Sequence, residues 1–501
     1  MHDLYEPLRA ELSTHALFRS LRVIWAWMQQ LQFGQDFPAD IEVPQHVRRV
    51  LRTPTRGVYE WELALLAKEL IALAPESGSV DLSSWETFSS TLNKLKDLDN
   101  GISGRYEPLF RQHIFIEMYR IAHQQFWWQR TLRLDSELTR YLKIFGAPAL
   151  DAIVQQRLGF SAHALFTIGL SVSGQFLAEF ELSAPVTFDL YGVTSDQIAV
   201  FFSRYCQSLT EMRVRCREAQ SCDENFIYAF NPLLQFPLVW YPAGAQIRIV
   251  APVPRYLVRR FTEGLYYDIL GTPGFDTAFG DSYQAYVGDV LSAVNSNHSL
   301  VIAPEREYVV GKAKKRSVDW IVSDNTGELF VECKTKRLRL DAKIALSDQA
   351  PLRCELTKLA EFAVQIYKTL IDALAGRYPH WAPSGKPLYP LIVTLEEWFV
   401  FGHKLDGEID ARIRSEFQSH GMDVRLLEAY PLTICSVGDF ERLMGLIAVK
   451  GTNSVMAEKV TPKRRLWLLH SALHDAFPEE FATTRVNLFP EVLARITGEA
   501  P

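Results

Sequence analysis

Asp319, Glu332 and Lys334 are the side chains whose types and spacing could do chemistry in this sequence. They lie in SVDWIVSDNTGELFVECKTKR, residues 317–337, which reads as two short strands joined by a turn. Residues 318–322 are β-branched and aromatic apart from Asp319. Residues 323–327 (Ser-Asp-Asn-Thr-Gly) are turn chemistry, with Asn325 and Gly327 able to take left-handed dihedrals. Along 328–336 the side chains alternate. Leu329, Val331 and Cys333 point one way, and Phe330, Glu332, Lys334 and Lys336 point the other, because a strand has a period of two. Pairing of the two strands brings Asp319 toward Glu332 and Lys334. Two carboxylates are hard oxygen ligands of the kind Mg²⁺ takes. An ion held there lowers the pKa of a bound water and polarises a phosphate. An ammonium group beside it can place the water or stabilise charge building on a phosphorus-bound oxygen.

The flanking pattern supplies elements to hold these residues. Residues 281–294 predict a helix with Tyr283, Tyr286, Val287, Val290 and Leu291 on one side. Residues 300–303 and 308–310 are extended, the hairpin follows, and 356–374 predict a long amphipathic helix. A strand at 388–394 contains Pro390, and a further extended piece is expected at 398–401. A helix at 410–419, a strand at 432–436 and a helix at 439–447 complete the pattern. Strands and helices mixed in this order predict an α/β sandwich around one mixed central sheet.

An Asp, twelve intervening residues and then Glu-x-Lys, on adjacent strands behind a helix, resembles the PD-(D/E)xK nuclease superfamily, the restriction-endonuclease-like fold. GDSYQAYVGDVL resembles its leading helix, and LTKLAEFAVQIYKTLIDAL resembles the helix that presents Gln365, with Tyr367 or Lys368, to the site. The resemblance covers roughly residues 275–400. It implies a nuclease that uses Mg²⁺ or Mn²⁺, with Asp319, Glu332 and Lys334 catalytic. Asp319, Glu332 and the backbone carbonyl of Cys333 would be the metal ligands, and Gln284 and Gln365 would support them. Many members carry a Glu on the leading helix, whereas the best-matched position here is Gln284, which brings no charge. A catalytically inactive scaffold or nucleic-acid-binding module on the same fold is therefore the alternative. A helical interaction protein with a merely structural hairpin is a third reading.

The formal net charge of the 501 residues is −6, so a nucleic-acid partner must be met by local patches. Lys312, Lys314, Lys315 and Arg316 precede the acids, and Lys336, Arg337 and Arg339 follow them, as the expected phosphate-tracking set. DNA is expected before RNA as the partner.

Residues 1–180 read as an all-helical domain with recognition or regulatory work, a surface for a protein partner. Residues 181–274 read as a connector with short strands and helices, and 275–501 as the nuclease-like domain with a C-terminal extension. His113, His123 and Trp127 read as packing between helices. Six cysteines without CxxC spacing argue against structural zinc. Neither a signal peptide nor a membrane span is evident, and the expectation is a cytoplasmic protein with reduced thiols. No phosphate-binding GxxxxGK[ST] loop occurs. Freestanding proteins of this layout resemble bacterial restriction or antiviral defence effectors.

Overall fold

The computed structural model describes residues 2–51, 53, 57–129, 134–188, 192–221, 223–400, 402–484 and 487–497. Cys222 and Phe401 lie outside them. Helices dominate, and among the described residues none before position 181 lies in a strand longer than a single bridge. β1 (Glu181–Ala184), β2 (Cys206–Ser208), β3 (Leu238–Ala243) and β4 (Gln246–Val250) then form a four-stranded sheet in the order β1-β4-β3-β2. The second sheet holds five strands in the order β11-β10-β9-β8-β5. These are β5 (Val301–Pro304), β8 (Trp320–Ser323), β9 (Glu328–Lys334), β10 (Leu388–Thr394) and β11 (Thr433–Ser436). β5, β8 and β9 are antiparallel neighbours, whereas β9, β10 and β11 run parallel. The architecture is helical layers plus an α/β sheet.

The alternation read along β9 sorts its side chains between two cores. Leu329 and Val331 pack on one face with Tyr283, Val287 and Val290 of the helix Phe275–Val294. Phe330 packs on the other with Leu359, Ala363 and Tyr367 of the helix Ala350–Leu374. Pro390 is tolerated in a central strand because β11 pairs only with Leu391–Thr394. At Pro390 the strand has a single neighbour, where a missing N–H costs no ladder bond on the open side.

Packing does not follow the composition shift near residue 180. Helices Leu134–Phe145 and Ala162–Ala178 share the core of the five-stranded sheet, while the N-terminal helices pack on β3 and β4. Three local expectations are corrected. The strand at 308–310 is β6 (Glu307–Val310), but it leaves the central sheet and pairs with β7 (Ala313–Arg316) in a two-stranded ribbon. Residues 398–400 form no strand; Trp398 and Phe399 are buried core side chains. The turn at 324–327 uses no left-handed residue at Asn325 or Gly327. The Asp324 carboxylate instead accepts from the Thr326 and Gly327 amides at 2.7 and 2.9 Å, an Asx turn.

Candidate active site

β8 and β9 pair from Ser323–Glu328 at the turn to Trp320–Val331. One residue further the chain bends at Asp319 and the pairing stops. There the ladder opens, and the Cys333 amide donates to the Asp319 carboxylate at 2.6 Å instead of to a strand carbonyl. The Asp319 carbonyl accepts from the Glu305 amide at 2.8 Å, which ties the end of β5 to the same point. The leading helix fixes β8 from behind. The Trp320 indole donates to the Gln284 carbonyl at 3.1 Å, and a Cβ on Gly288 would overlap the Trp320 ring.

Lys334 follows on the Glu332 face. Its ammonium donates to Glu332 Oε1 at 2.8 Å and to Gln365 Oε1 at 3.0 Å, and lies 5.0 Å from the centre of the Phe362 ring. The Gln365 amide donates in turn to Glu332 Oε1 at 3.1 Å. Glu332, Lys334 and Gln365 thus form a closed triangle between β9 and the helix Ala350–Leu374.

Charge is unevenly balanced across this group. Burial pushes the Asp319 carboxyl up to about 7, and the nearby Glu332 charge adds to the shift. The Cys333 amide and Lys334 offset part of it, while Glu305 works against them. Glu305 is itself raised, first by burial, then by Glu332 and Asp281, with Arg316 opposing. The Glu332 charge thus acts on both Asp319 and Glu305.

Among the described residues no group of three or more His, Cys, Asp or Glu side chains is placed to hold a metal ion. The donors that fit a hard cation are the Asp319 and Glu332 carboxylates and the Cys333 carbonyl, with water for the rest. The Cys333 N–H points at Asp319, and a strand residue carries its N–H and C=O on the same edge, so that carbonyl opens on the same gap. The Asp319 carboxyl is raised first by burial and then by Glu332, and a divalent ion bound there would favour its charged form.

Asp319, Glu332, Lys334 and Gln365 are brought together. Gln284 is beside them through its carbonyl, bonded to Trp320, and no side-chain hydrogen bond links it to the acids among the described residues. Tyr367 is in the core, with its hydroxyl on the Tyr430 carbonyl, and Lys368 is on the outer face of its helix. The basic set divides. Lys312 and Lys314 are exposed on the ribbon. Lys315 pairs with Asp372 at 2.7 Å and Arg316 with Glu305 at 3.4 Å. Lys336 pairs with the buried Glu355 at 3.0 Å, and Arg339 bonds Asp341. Arg337 is a correction. It is buried against Tyr266 and Tyr267, donates to the Glu263 carbonyl at 2.6 Å and lies 3.8 Å from Glu396. It holds the helical layer to the sheet and is closed to a phosphate backbone.

Comparison with protein-family models, with curated proteins and with solved structures found no match to this chain.

Two residues escaped the sequence reading. Glu305 is an acid at the end of β5, and its signal was its place directly after an apolar extended run. Gly288 is the point where β8 presses on the helix through Trp320, and nothing local in the sequence marks it. His123 packs edge-on against Tyr119 and Phe399, and burial lowers its pKa, in keeping with a packing role.

Proposed function

We propose that this protein is a PD-(D/E)xK-type nuclease that hydrolyses phosphodiester bonds with Mg²⁺ or Mn²⁺, with DNA before RNA as substrate. The observation that carries the reading is the Asp319 carboxylate held on the Cys333 amide, between Glu332 and Lys334 in sequence and within reach of their charges, where β8 and β9 part. The central sheet, with one helix on each face, supports a restriction-endonuclease-like sandwich. Asp319, Glu332 and the Cys333 carbonyl would hold the ion, which when bound supplies a more acidic water and a polarised phosphate. Lys334 stabilises negative charge on the phosphate, and Gln365 keeps Lys334 and Glu332 in register. A restriction or antiviral defence role in the cytoplasm, with the helical layers receiving a protein partner, extends the same proposal. No described helix is long and apolar enough to cross a membrane.

The second reading, a nuclease fold kept as an inactive scaffold, is favoured by Gln284 on the leading helix and by the small number of acids at the gap. Incubation with plasmid, linear duplex, single strands and RNA separates the two. Cleavage with Mg²⁺ or Mn²⁺ that EDTA abolishes supports the enzyme, and binding without cleavage under every metal supports the scaffold.

A further inference from the structure

The ribbon β6–β7 is inserted between β5 and β8, two adjacent strands that a tight turn could have joined. Its base is bonded to the candidate site. The Glu305 amide meets the Asp319 carbonyl, and the Ser317 amide meets the Arg306 carbonyl at 3.0 Å. The Arg306 amide donates to the Ser317 hydroxyl at 2.9 Å.

The ribbon's two faces differ. The inner face is anchored: the Tyr308 hydroxyl and the Lys315 ammonium both donate to Asp372 of the long helix, at 2.8 and 2.7 Å. The outer face carries Val309 opposite Lys314 and Glu307 opposite Arg316, with Gly311 and Lys312 at the tip. Val309 is 61% exposed, an apolar side chain in the middle of a charged surface. Residues 305–316 hold five cations against two acids in a chain of net charge −6. Among the described residues neither Lys312 nor Lys314 makes an ion pair.

We propose that β6–β7 is a groove-entering ribbon that seats B-form duplex DNA on the Asp319 site. Lys312 and Lys314 meet the backbones flanking the groove, and Val309 faces the base edges. A two-stranded ribbon fits the B-form major groove, about 12 Å wide and about 8.5 Å deep. From Glu305 to the tip at Gly311 is six residues, roughly 20 Å of strand at about 3.3 Å each. That reach spans a groove while Asp319 stays at the backbone. The welded base makes the spacing between groove and scissile phosphate a fixed property of the fold. A-form duplexes have a deep, narrow major groove that excludes such a ribbon.

This inference rests on the nuclease reading, and its test is built to fail separately. Fluorescence anisotropy of a labelled DNA duplex is measured in EDTA, for the parent and for the double variant Lys312→Glu, Lys314→Glu, with a duplex RNA of matching sequence alongside. Both lysines are exposed, and equal melting temperatures check that the ribbon stays folded. The expected result is at least a tenfold loss of DNA affinity, and a log–log salt slope shallower by about two. Parental binding to the RNA duplex should be weaker and nearly unchanged by the substitutions. Val309→Ser should lower DNA affinity without changing the salt slope. Parental DNA affinity in the double variant, or equal losses on DNA and RNA, overturns the ribbon while leaving hydrolysis intact. Loss of DNA affinity in a protein that never cleaves supports the ribbon and overturns the nuclease.

Discussion

Asp324 and Asp319 flank the strand β8 and live in opposite electrostatic conditions. Burial would push the Asp324 carboxyl up. The Thr326 hydroxyl and the amides of Thr452, Thr326 and Gly327 outweigh that and hold it below its ordinary value. Asp319 is raised by burial first and by the nearby Glu332 second, with one amide to offset them. The first carboxylate is satisfied and closes a turn onto the helix Thr452–Lys459 through the Thr452 amide at 2.7 Å. The second is buried with fewer donors than its burial requires. Such a group costs stability and is kept where an ion or a proton is to be handled.

The largest expected effect lies at the Asp319 end. Lys334→Ala should lower cleavage by about 10²- to 10³-fold, since it removes a donor to developing negative charge. Metal binding should be nearly unchanged, because an ammonium is no ligand. A variant that cuts at the parental rate removes Lys334 from the chemistry.

At the other end, Asp324→Ala should cost about 1–3 kcal/mol of stability by leaving buried amides unpaired. Denaturant melts should show it, and metal affinity should stay near the parent's. If metal affinity falls as far as it does in Asp319→Ala, the two ends are not functionally distinct.

Gly288→Ala perturbs the Asp319 end of β8 from behind the sheet. The added methyl meets the Trp320 ring, and overpacking of this kind costs about 1–3 kcal/mol. Because Trp320 adjoins Asp319, cleavage should fall more than the melting shift alone explains. A stable variant with full activity would show that Trp320 does not position Asp319.

A smaller effect follows from protonation. The folded Asp319 carboxyl lies above its unfolded value, so the native state holds a proton the unfolded chain has released. Its contribution to metal-free stability therefore falls as pH rises from about 4 to about 7, and is level above that. Asp319→Asn keeps an acceptor for the Cys333 amide without the charge. It should melt roughly 2 °C above the parent at pH 8, with the difference shrinking at pH 5. An equal difference at both pH values would exclude charge as the cause.

The hairpin and the side chains it gathers were legible because they depend on local rules. Period-two alternation put Glu332 and Lys334 on one face, and an acid in an otherwise apolar strand marked Asp319. Gln365 was found through the resemblance of its helix, and its triangle with Lys334 and Glu332 follows from how that helix packs. What failed depends on distant partners. Arg337 read as a surface cation, since Tyr266, Tyr267 and Glu263 lie some seventy positions earlier. The AKKR of β7 has no apolar alternation; it is a strand through its pairing with β6, and Lys315 and Tyr308 of that pair both bond Asp372. The boundary at 180 followed a change of element type, whereas the cores follow packing and place the helix Leu134–Phe145 with the sheet.

The central claim is that the parting of β8 and β9 is a divalent-cation site built on Asp319. Calorimetric titration of Mn²⁺ into the parent and into Asp319→Ala, at pH 8 where Asp319 is ionised, tests it directly. The account predicts a site in the parent whose affinity drops at least tenfold in the variant, as expected when a hard anionic ligand is lost. Equal Mn²⁺ affinity in the two proteins, or no binding by a folded parent, would contradict it.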